Sequence, residues 1–169
     1  MKLASLVLTL LVACSTAQSQ DDKWRSQMID DPASYSSVAV LQQESATTIK
    51  DETASKDVTP VLEFRCTPGD AAITARIDWQ RFISSFSTEA GFKVDGGRFT
   101  WLKWKVDSSE KVTLSPSPAD SQKLIDMLVD GGDLLVEISP YSEGPVTAQY
   151  DLAGLAAALD DLRSKCQSM

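Results

Sequence analysis

Three cysteines, Cys14, Cys66 and Cys166, together with a complete lack of histidine, define the reactive side chains of this chain. Thiols at such positions serve as nucleophiles, redox pairs, metal ligands or structural bridges, and their spacing decides among these. A redox pair calls for a Cys-x-x-Cys motif, and a zinc site for four closely grouped nitrogen or sulfur ligands; the sequence offers neither. A nucleophilic serine or cysteine without histidine needs another base, yet no Ser-x-x-Lys or Gly-x-Ser-x-Gly motif is present. No glycine-rich phosphate loop leads into a helix. Carboxylates are plentiful, but Asp30-Asp31 reads as a turn and Asp160-Asp161 as the solvated edge of a helix. Asp130 and Asp133 lack the further spaced oxygen ligands and the closing glutamate of a calcium loop. A glycosidase-like pair stays open, because such carboxylates meet only in space. The expectation is a non-enzymatic protein with no metal and no cofactor, a carboxylate-dependent cell-wall hydrolase being the enzymatic alternative.

The cysteines gain meaning from the N-terminal segment. Met1-Lys2 precedes an apolar run from Leu3 to Ala13, which has the length of a signal-peptide core and is too short to span a bilayer. Residues 1–19 are predicted as the signal and 20–169 as a single domain. Ser15-Thr16-Ala17 and Ala17-Gln18-Ser19 each place small residues where a signal peptidase would cut, giving a periplasmic or secreted protein. Leu11-Val12-Ala13-Cys14 also fits a bacterial lipobox, whose Cys14 would carry lipid and anchor the chain in the envelope. On either route Cys14 leaves the account, and Cys66 and Cys166 remain as a pair in an oxidising compartment. A disulfide there closes a loop of about 100 residues and removes about 4.7 kcal/mol of unfolded-chain entropy in the loop-closure treatment.

The full chain of 169 residues carries a formal charge of −8. Loss of Lys2 with the signal makes the mature protein more acidic still. That balance gives no electrostatic case for nucleic acid or anionic lipid as a partner, and it suits a basic or apolar protein surface. About 150 residues are enough for one domain with a full core.

The elements that must position these residues follow from periodicity. Asp21 to Pro32 is polar around Trp24 and reads as a lead-in turn or short helix. Ser36 to Gln43 reads as a strand, and Glu44 to Asp57 as a mobile polar loop. Val61 to Trp79 alternates as a hairpin about Thr67-Pro68-Gly69-Asp70, with Cys66 expected opposite Ala71, Phe64 opposite Ile73 and Leu62 opposite Ala75. Strands are expected over Phe92 to Val94, Arg98 to Val106 and Lys111 to Leu114. In the middle one Leu102, Trp104 and Val106 share one face, while Phe99, Trp101, Lys103 and Lys105 share the other. This second face interleaves aromatics with cations and reads either as an interaction surface or as packing under a loop. Pro118 to Val129 forms an apolar stripe on a helix, Leu134 to Ile138 and Val146 to Leu152 form a second hairpin, and Ala153 to Lys165 a final helix. Cys166 continues the stripe of Leu155, Leu159 and Leu162, so both cysteines project from apolar faces. The fold class is α+β: antiparallel sheet with one middle and one C-terminal helix packed on it, closed by one disulfide.

Trp24, Arg65-Cys66 ending a strand, Ile77-Asp78-Trp79 ending the next, and a tail running from Thr147-Ala148-Gln149-Tyr150-Asp151-Leu152-Ala153-Gly154-Leu155 through Leu162-Arg163 to Cys166 form a connected pattern. It resembles the type VI secretion-associated TagO/VasI family over most of the mature chain, most sharply in the tail, and departs from it at Tyr150, where phenylalanine is expected. The resemblance implies a non-enzymatic accessory protein of the bacterial envelope, acting on an envelope or secretion-system protein by contact, with Cys66 and Cys166 as its structural bond. A periplasmic inhibitor or immunity protein, presenting the Glu44 to Asp57 loop or the Phe99/Trp101 face to an envelope enzyme, is the alternative from another class.

Overall fold

Alternating apolar and polar residues from Val61 to Cys66 and from Thr74 to Asp78 demand two strands with a shared apolar side. The computed structural model builds its main sheet around that pair. It describes residues 23–31 and 35–167, so the expected signal segment and Cys14 lie outside the described residues. The strands are β1 (Arg25–Asp31), β2 (Ser36–Glu44), β3 (Ile49–Lys50), β4 (Asp57–Val58), β5 (Val61–Cys66), β6 (Thr74–Asp78), β7 (Thr88–Val94), β8 (Thr100–Val106), β9 (Val112–Leu114), β10 (Asp133–Ile138) and β11 (Val146–Asp151). Helix α1 (Pro118–Leu128) lies between β9 and β10, and α2 (Leu155–Gln167) follows β11. Nine strands join in the order β1-β2-β5-β6-β9-β8-β7-β10-β11, each neighbouring pair antiparallel. The protein is thus α+β, with its middle and C-terminal helices on an antiparallel sheet.

The sheet curls until its last strand meets the end of its second. The Ala46 N–H donates to the Gln149 carbonyl at 2.8 Å, the Gln149 N–H to Ser45 Oγ at 3.0 Å, and the Gln43 side chain exchanges two 2.9 Å bonds with the Asp151 backbone. One face of the curled sheet, the inner face, carries Leu41, Phe64, Ile77, Trp104, Phe92, Val136 and Tyr150, all buried. Leu124, Ile125 and Leu128 of α1 and Leu155, Leu159 and Leu162 of α2 cover it. Helix α1 starts where Ser117, in extended conformation, accepts the Asp120 N–H on its side chain and Pro118 occupies the first turn. The Cys66–Cys166 disulfide joins β5 to α2 with Cα atoms 5.8 Å apart and 100 residues between them in sequence.

Three local expectations are corrected. The β5–β6 register sets Phe64 opposite Ala75 and Leu62 opposite Ile77, two residues from the expected pairing, because the connection runs on to Ile73. A slip of two keeps every side chain on its face, so the core is unchanged. Residues 25–31 form a strand in place of a turn or short helix, Asp30-Asp31 included, since seven-residue pairing with β2 overrides the polar composition. The segment from Glu44 to Asp57 holds part of the small β3–β4 hairpin and is more than a loop. Its turn is organised by Asp51, which accepts the Ser55 N–H at 2.8 Å and the Thr53 hydroxyl at 3.1 Å.

Candidate functional site

On β8 the alternation expected from sequence is realised: Trp104 points into the core, while Trp101, Lys103 and Lys105 stand on the opposite, outer face. Trp101 is 48% exposed, and no second layer covers it among the described residues. Its seat is Gly91, directly across on β7. A Cβ added to Gly91 would lie 3.0 Å from atoms of both the Trp101 and Phe99 rings, so any side chain there would push the aromatics off the sheet. Phe99 and Trp101 lean together with centroids 5.5 Å apart, and the Lys93 ammonium lies 5.4 Å from the Phe99 centroid. Of the four residues singled out from sequence, Trp101, Lys103 and Lys105 are exposed and Phe99 is half-buried. Lys105 also donates to the Pro116 carbonyl at 2.9 Å, which fixes it along the edge of the patch.

Beside this aromatic shelf the outer face bends into a groove of about 640 Å³, reached through Lys93 and Leu135. Its far wall comes from β1 and β2, its near wall from β10 and β11, and its position follows from the seam that closes the sheet. Three cations lining it, Lys23, Arg25 and Lys93, are matched by three carboxylates, Glu44, Asp133 and Asp151. Two of those cations are already engaged, Lys23 with Asp151 and Arg25 with Glu44 at 3.6 Å. Hydrogen bonding to Lys23 holds the Asp151 carboxyl below its ordinary value. The groove and shelf together form a mixed apolar and polar recess suited to contact with an extended segment or projecting side chains.

Two polar clusters lay beyond sequence reasoning. Glu63, on the outer face of β5, accepts from Arg65 Nε at 2.9 Å and pairs with Arg76 Nε at 3.0 Å. Burial and then the charge of Arg65 pull the Arg76 guanidinium below its ordinary value. Arg81, with only 2% of its side chain exposed, binds Glu143 through two bonds of 2.7 and 2.6 Å, the Lys50 carbonyl at 2.8 Å and the Phe82 carbonyl at 3.3 Å. It ties its own loop to β3 and to the loop that holds Glu143. The available signal was a lone arginine between Trp79 and Phe82-Ile83, too common a pattern to single out.

Asp160 pairs with Arg163 and Asp161 with Lys165, along α2 as expected. Asp133 opens β10, and Asp95 receives the N–H groups of Gly132 and Asp133 at 2.9 Å each, a turn closure. Among the described residues no three His, Cys, Asp or Glu side chains converge as a metal site, and no helix is long and apolar enough to cross a membrane. Asp51 is spent on its own turn: burial opposes its charge, but the Ser55 and Lys56 N–H groups and the Ser55 and Thr53 hydroxyls outweigh that and bring it down to about 2.

Among solved structures, the fold is similar to the crystal structure of invasion associated protein B from Bartonella henselae, with a TM-score of 0.51 and 11% identity over 84% of this chain and 92% of that one. At that identity the likeness concerns the fold alone. No family model and no curated protein matches the chain.

Proposed function

We propose that this chain is an exported accessory protein of the bacterial envelope that works by protein contact and not by catalysis, with the Phe99/Trp101/Lys103/Lys105 face as its contact surface. One observation carries this reading: a tryptophan half exposed on an open sheet face, held in place by a glycine and a neighbouring aromatic ring, and flanked by lysines in an otherwise acidic protein. Isolated exposed apolar residues are ordinary, but a seated aromatic pair with a cation on its ring has the make-up of an interface anchor. Export is supported by the apolar N-terminal run and the disulfide, and a bacterial setting by the fold shared with an invasion-associated protein. Association with a type VI secretion apparatus is what the resemblance in the tail adds. The contact reading leaves the folded Glu44 to Asp57 segment a smaller role, since Asp51 faces its own turn.

The test is an affinity pull-down from native envelope extract with the oxidised protein and its Trp101→Ala variant, read by mass spectrometry. Secretion-apparatus components retained by the wild type and lost with Trp101→Ala are the expected result. Retention of one envelope hydrolase or toxin would favour the inhibitor reading. A partner held equally by both forms would move the contact surface away from β8.

A further inference from the structure

On the outer face of β5 and β6, toward their connection, lies a recess of about 370 Å³ that shares no lining residue with the groove beside the aromatic shelf. Register explains its polar floor: Arg65 lies opposite Thr74, and Arg76 lies between Glu63 on β5 and Leu114 on β9. Three guanidinium nitrogens converge on one oxygen, Glu63 Oε2, from Arg65 Nη2 at 2.8 Å, Arg65 Nε at 2.9 Å and Arg76 Nε at 3.0 Å. One carboxylate thus serves two cations, and Arg76 is the one left short. Its Nε is buried, and among the described residues none of its nitrogens makes an aligned hydrogen bond. A guanidinium this buried is ordinarily bonded along its fork.

Asp107, in the turn between β8 and β9, lines the same recess. Its Oδ1 accepts the Ser109 N–H at 2.9 Å and the Ser109 hydroxyl at 2.5 Å, while its Oδ2 has no partner among the described residues. Arg76 feels the Asp107 charge, yet no ion pair joins them.

We infer that this recess is a binding site for a small zwitterion, an α-amino acid or a short peptide, whose carboxylate meets Arg76 and whose ammonium meets Asp107. Such a ligand supplies both missing partners at once: oxygens for the unbonded guanidinium and N–H donors for Asp107 Oδ2. A plain anion would meet Asp107 and Asp70 on the rim, and a plain cation would meet Arg65 and Arg76, so a molecule carrying both charges fits best. Val38, Val112 and Leu114 give the recess an apolar wall for an aliphatic side chain, and its volume is that of a small-molecule site.

An NMR titration of the purified, disulfide-bonded protein tests this, reading backbone amide shifts with L-alanine, with dialanine, and with the half-ligands propionate and ethylamine. Saturable shifts at Thr74–Arg76 and Asp107 are expected with the zwitterions, and binding about tenfold or more weaker with each half-ligand. Saturation by L-alanine assigns a free amino acid, and saturation by dialanine alone assigns a peptide. Arg76→Gln and Asp107→Asn should each weaken the zwitterion by about tenfold or more, whereas Asp126→Asn on the exposed side of α1 should leave it unchanged. Asp107→Asn keeps an oxygen for the Ser109 bonds, so it carries the test alone should Arg76→Gln not fold. No saturable shift with either zwitterion, propionate bound as tightly as L-alanine, or binding indifferent to Asp107→Asn overturns the proposal.

Discussion

Trp101 and Trp104 lie three residues apart on one strand and have opposite fates. Trp104 is 1% exposed and packs on Phe92 with ring centroids 5.1 Å apart; Trp101 is 48% exposed and rests on Gly91 and Phe99. Pleating sends them to opposite faces, and two helices cover only the inner one. The difference shows that an aromatic here becomes core or surface according to which face receives a second layer. On the open face packing constraints are local, as at Gly91 beneath the Trp101 and Phe99 rings.

That contrast can be broken most forcefully at Trp104. Trp104→Ala should cost about 3–5 kcal/mol in denaturant unfolding, since it opens a cavity under the helices; a loss below about 1 kcal/mol would mean that the inner face does not depend on this ring. Replacing Cys66 and Cys166 together by alanine should cost about 2–4 kcal/mol by freeing α2 from β5 in the unfolded chain, read as a lowered midpoint with the native far-UV spectrum kept. Tyr150→Phe sharpens the picture with the opposite sign. The hydroxyl is buried without a bonding partner among the described residues, and burial, aided by Asp78 and Glu63, drives its pKa far above the ordinary value. Removing it should raise stability by up to about 1 kcal/mol. Trp101→Ala should change stability least, by under about 1 kcal/mol, and so allows its effect on binding to be read separately.

Much of this was legible beforehand because alternation and helical stripes report directly on burial. The α+β class, the inward Cys66 and Cys166, the split of β8 into two faces and the start of α1 at Pro118 all follow from local pattern. The β5–β6 register was missed by two residues because face assignment is blind to even shifts. β1 was missed because its polar residues give no alternation: its conformation is imposed by β2 and not by its own composition. The groove and the Arg81 cluster were invisible for another reason. Both arise where segments far apart in sequence meet, Lys23 with Asp151 and Arg81 with Lys50 and Glu143, and nothing local marks such meetings. Tyr150, where the tail pattern expects phenylalanine, is buried.

The bridge between Cys66 and Cys166 also sets a clock. Everything from β6 to α2 lies between its two ends. At about 5–20 residues per second of synthesis, the first thiol exists for roughly 5–20 s before the second is made. The bond therefore cannot form before the last turns of α2 have been made.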